Sequence, residues 1–117
     1  MLYRIGTLAE LVSVADIFHP SILQELKVYI DVLDREYGSG SDYLECGGYA
    51  LLAQTVDDML AIKEVVDYDV HPCEWATRLG SGTGYVSALY LMNNEYSILV
   101  FMPESLAPDD VISEFID

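Results

Sequence analysis

Basic residues are scarce in this chain of 117 residues: five Lys and Arg stand against twenty Asp and Glu, a net charge of −15. Phosphate backbones are gripped by clustered Lys and Arg, so this composition excludes direct nucleic-acid binding. Attraction to an anionic membrane surface is excluded on the same ground. Cysteine is nearly absent, with Cys46 and Cys73 alone. No basic stretch followed by an apolar run opens the chain as a secretory leader would. Two thiols without such a leader are expected to stay reduced, which predicts a cytoplasmic protein. Long apolar runs are missing too: the longest uncharged stretch, 79–94, is broken by glycine and serine before Val86 and cannot span a bilayer.

What is plentiful is apolar and aromatic material. Hydrophobic residues make up 52% of the chain and aromatics 11%, too much for a disordered segment. A chain of this length buries enough surface to fold without a metal or a disulfide. Nothing in the sequence calls for a cofactor.

Helix signals open the chain. Thr7 and Glu10 form a capping box for a helix through Phe18, which the His19-Pro20 pair ends. Ser21 and Gln24 form a second box, and Ile22, Leu26, Tyr29, Ile30, Leu33 and Tyr37 then recur at helical spacing. Asp31 and Arg35 stand at i,i+4 on that helix, and Gly38 supplies its stop. The spacing therefore predicts an αα-hairpin over residues 1–37, then a flexible loop over 38–42 (Gly-Ser-Gly-Ser-Asp) and a sheet-forming part over 43–117, within one domain. In that last part, Tyr49 to Ala53 reads as a strand, Thr55 with Asp58 as a helix start, and Trp75 to Leu79 as a weaker strand. Tyr85 to Met92 and Tyr96 to Met102 read as a hairpin about Asn93-Asn94-Glu95, and Pro108-Asp109-Asp110 opens a last helix. The expected fold is α+β, with a small, mainly antiparallel sheet of three or four strands and helices packed on it, in the order α-α-β-α-β-β-β-α. Both hairpin strands are apolar on both faces, so they are central strands or are covered by a second subunit.

Four features could carry chemistry. His71 and Cys73 lie two residues apart, and with Glu45 and Asp69 they outline a small enzymatic, ligand or metal site. Zinc wants about four ligands, and no second close Cys or His pair exists, so a turn with Cys73 as a small buried residue is the plainer account. Gly80-Ser81-Gly82-Thr83-Gly84 looks like a phosphate loop but precedes a strand and lacks a lysine, so it reads as a connection. The paired acids Asp57-Asp58 and Asp109-Asp110 sit in helix first turns, where the helix dipole already favours them. Nine tyrosines suit either an interface or half-buried strands.

No catalytic constellation emerges. The leading expectation is a non-enzymatic protein that binds a basic partner protein, as an antagonist or decoy docking on a basic surface. The residues expected to carry it are Asp67, Asp69, Glu74, Glu104, Asp109, Asp110 and Glu114, because the 67–74 connection and the base-free 104–117 stretch hold acids that capping does not explain. A further reading is a subunit of a larger assembly, self-associating through the 85–102 hairpin.

Overall fold

The computed structural model describes residues 2–6, 8–37, 48–66, 70–71, 73–79, 83–92 and 96–116, with 8, 32–37 and 96 described by backbone alone. Five strands and four helices appear in the order β1 (Tyr3–Ile5), α1 (Leu8–Ser13), α2 (Pro20–Tyr37), β2 (Gly48–Leu52), α3 (Val56–Val65), β3 (Cys73–Arg78), β4 (Tyr85–Met92), β5 (Tyr96–Pro103) and α4 (Asp109–Phe115), with a single 3-10 turn at Glu104–Leu106 before α4. The strands form one sheet in the order β1-β2-β5-β4-β3. Pairing is antiparallel except between β2 and β5, which run parallel.

The α+β class stands, and three details differ from expectation. A fifth strand, β1, precedes the helices, so the order begins β-α-α. Three residues with no alternation longer than Tyr3-Arg4-Ile5 give no strand signal; β1 exists because β2 offers it an edge, with Arg4 opposite Leu51. The first helix is also shorter than its apolar stripe. After Ser13 the chain turns tightly through i→i+3 bonds (Val14 N to Leu11 O, Ala15 N to Val12 O, Ile17 N to Val14 O), which still carry Val14 and Phe18 into the core. The expected long αα-hairpin is thus a one-turn-and-a-half helix packed beside α2. Finally, α2 starts at Pro20, with His19 rather than Ser21 in the capping role: His19 Nδ1 accepts from Ser21 N at 3.1 Å. Proline's fixed φ suits the first helical position, so the signal that ends one helix begins the next.

Other local expectations hold. Thr55 caps α3 in a complete capping box with Asp58. The Glu10 carboxylate accepts from Gly6 N at 3.0 Å. Asp31 pairs with Lys27 Nζ at 3.2 Å, one turn back; the expected partner Arg35 has a side chain outside the described set. The 38–42 loop, the hairpin turn 93–95 and the glycine-rich 80–82 lie outside the described residues.

Alternation along the central strands fills two cores, one on each face. On one face Tyr49, Leu51, Val86, Ala88, Tyr90, Ile98, Val100 and Met102 meet Ile62 and Val66 from α3 and its end, and Val111 and Ile116 from α4 and its end. On the other, Ala50, Leu52, Leu99 and Phe101 meet Val14, Phe18, Ile22, Leu26 and Ile30 from the α1–α2 segment. This explains the two-sided apolarity of the hairpin: β4 and β5 lie inside the sheet, and helices of the same chain cover both faces. The sheet edges are β1 and β3.

Tyrosines serve this packing. Tyr85 Oη donates to Ala53 O at 2.8 Å, Tyr29 Oη meets Ser97 Oγ at 2.6 Å, Tyr90 is buried under α4, and Arg4 stacks over the Tyr49 ring at 4.0 Å. Each buries a ring and keeps a polar tip satisfied or stacked.

Candidate acidic docking face

The described acids divide into those with a local structural task and those without one. Asp58 is buried, and its carboxylate accepts from Gln54 N at 2.8 Å and Thr55 N at 3.2 Å. Burial pushes its pKa up, but these backbone donors prevail and hold it below the usual carboxylate range. Glu104 is bound by the Arg78 fork, Nε to Oε1 at 2.6 Å and Nη2 to Oε2 at 3.2 Å, which lowers its pKa. Glu104 therefore leaves the expected docking set: it is neutralised at the far end of β3.

The remaining candidates converge where α4 packs over β3. Cys73, at the start of β3, forms with Tyr90, Val111 and Phe115 the floor of a notch of about 190 Å³, whose rim includes Asp110 and Glu114 from α4. Asp109, Asp110, Glu114 and Glu74 are all exposed. A bulge between Cys73 and Trp75 shifts the β3–β4 register at Glu74. Expected site residues from two separate stretches, Glu74 and 109–114, are thus neighbours on one face. Asp67, Asp69 and Glu45 lie outside the described residues.

The Cys73 thiol reports the local field. Burial pushes it up to about 11, and the Glu114 and Glu74 charges add to the rise against backbone hydrogen bonds that oppose it. Its Sγ donates to Trp75 O at 3.1 Å, so the group is a neutral thiol and not a thiolate nucleophile or ready soft-metal ligand. Among the described residues no group of three or more His, Cys, Asp or Glu could hold a metal ion, and no helix is long and apolar enough to cross a membrane.

Sequence reasoning found the acids but not the apolar floor beneath them. Cys73, Tyr90 and Phe115 come from three elements, and only the packing of α4 across β3 brings them together. No family model, curated protein or solved structure matches the chain.

Proposed function

We propose that this is a non-enzymatic, cytoplasmic binding protein whose α4–β3 face docks on a basic surface of a partner protein, in the manner of an antagonist or decoy. The observation that carries this reading is the position of Glu114. It lies in the last turn of a helix with no basic residue there, at the negative end of the helix dipole, and beside Glu74. Helix stability disfavours a carboxylate at that place, whereas Asp109 and Asp110 in the first turn are explained by the dipole alone. A cluster that costs the monomer stability and faces solvent above an apolar notch suits a Lys or Arg side chain from a partner: its aliphatic stem lies on Val111 and Phe115 and its charge meets Asp110 and Glu114.

The test is capture on the immobilised full-length chain, with bound proteins identified at about 0.05 M and about 0.5 M salt. The expected result is a basic protein retained at low salt, released at high salt, and lost when Asp109, Asp110 and Glu114 are changed to their amides. Retention indifferent to salt and to those substitutions ends the reading.

A further inference from the structure

Among the described residues, β3 has a neighbour on one side only, β4. Leu79 N donates to Tyr85 O at 3.0 Å, so that pair is of the hydrogen-bonded kind, and by alternation so is Thr77 with Ser87. Ala76 and Arg78 then turn their backbone N–H and C=O groups away from β4, toward the open edge. An edge of this kind is a template for another strand. Natural edges are usually blunted by charge, and β3 does carry Glu74 and Arg78. These charges are opposite in sign and lie equally far on either side of Ala76.

We infer that β3 pairs antiparallel with β3 of a second copy of this chain about a two-fold axis at Ala76, joining two five-stranded sheets into one. This is the register that sets Glu74 of each copy opposite Arg78 of the other, so the charges that repel other strands attract this one. A guanidinium carries five N–H donors and can hold Glu104 and a second carboxylate together. The same register places Trp75 opposite Thr77 of the other copy. Trp75 is 42% exposed, the only tryptophan in the chain, and lies on the edge strand with exposed Val28 and Leu91 among the apolar residues of the molecule that remain uncovered. Thr77 lines an open cleft of about 520 Å³ between β3 and the start of α2, with Pro20, Ser21, Gln24 and Leu79. An indole arriving across from Thr77 meets the mouth of that cleft, and the two-fold axis makes the exchange reciprocal. Burying both indoles and both cross-strand pairs gives a small interface, hence a weak, micromolar dimer.

Salt separates this pairing from the basic-partner reading, on which it does not depend. Each chain carries −15, so two copies repel at long range, and screening that repulsion strengthens the dimer while it weakens docking on a basic partner. The experiment is sedimentation velocity of the full chain over a concentration series at about 0.15 M and about 0.5 M salt. The expected result is a monomer–dimer equilibrium that tightens with salt, with a blue shift of tryptophan emission on dimerisation. Glu74→Arg and Arg78→Glu each weaken the dimer about tenfold, and the double swap Glu74→Arg/Arg78→Glu recovers it to within about threefold. Ala76→Pro removes one outward N–H and abolishes the dimer with the circular dichroism unchanged. A monomer at both salt concentrations overturns the proposal. So does a dimer that neither single charge reversal weakens or that the double swap fails to restore; these variants decide the matter should the proline variant misfold.

Discussion

The phenol of Tyr29, midway along α2, meets the hydroxyl of Ser97 at 2.6 Å, joining a helix and a strand 68 residues apart in sequence. Gly48 sits directly beneath this contact. Its φ of +127° is one that L side chains rarely adopt, and a Cβ built there falls 2.0 Å from Ser97 O and 2.8 Å from the Tyr29 hydroxyl. The parallel pairing of β2 with β5 begins at this point, Gly48 opposite Ser97. Gly48→Ala is expected to cost about 3–5 kcal/mol, through backbone strain and a steric clash that no rotamer relieves. Tyr29→Phe keeps the ring and loses the hydrogen bonds, for about 1 kcal/mol. Urea unfolding of the two variants measures the contrast, and equal effects would contradict it.

Asp58 gives a pH signature. Its folded pKa is depressed, so the stability it contributes is present above its unfolded value of about 3.9 and is lost as pH falls through the folded value. Asp58→Ala should destabilise by about 1–2 kcal/mol near neutral pH. The gap between wild type and variant should stay level down to about pH 4 and close below it. Thermal melts between neutral and acidic pH read this directly; a gap that widens on acidification would be the wrong sign.

Cys73 is expected to be a sluggish thiol. With its pKa pushed up to about 11, the thiolate fraction at pH 7 is on the order of one in ten thousand. In a Cys46→Ser background, alkylation by iodoacetamide at neutral pH should be far slower than for a free thiol in solution. Glu114→Gln removes a nearby negative charge and should quicken the reaction modestly. No change of rate in that variant would mean that Glu114 does not reach the notch.

Glu114→Gln carries a second expectation. Removing a carboxylate from the negative end of α4 should stabilise the fold by a few tenths of a kcal/mol, while weakening capture of a basic partner. A variant that loses both stability and binding would make Glu114 a structural residue.

Core and surface apolar residues should separate cleanly. Phe101 is fully buried between β5 and the α1–α2 segment, and Phe101→Ala should cost about 3–5 kcal/mol. Val12 is 72% exposed, and Val12→Ala should stay within about 0.5 kcal/mol.

Local chemistry was legible where a few neighbouring residues decide the outcome. The Thr55–Asp58 box, the strands beginning at Tyr85 and Tyr96, and the helix after Pro108 each depend on short-range geometry, and each stands where spacing places it. The same reading accounts for Asp58, Asp109 and Asp110 as helix-start acids. It could not see β1, because three residues become a strand only when β2 supplies the hydrogen bonds. It overextended α1, because an apolar stripe at helical spacing also serves a chain of tight turns that aims Val14 and Phe18 at the same core.

The sequence by itself determined the charge, the helix starts and the central hairpin, since those depend on composition and on neighbours within a few residues. Only the tertiary structure decided which acids are left over. Arg78 and Glu104, 26 residues apart, neutralise each other because β3 ends where the chain leaves β5. Glu74 and Glu114, 40 residues apart in number, become neighbours because α4 packs across β3. Pairing by sheet order and packing is non-local, and no property of either residue in its own stretch of chain carries that information.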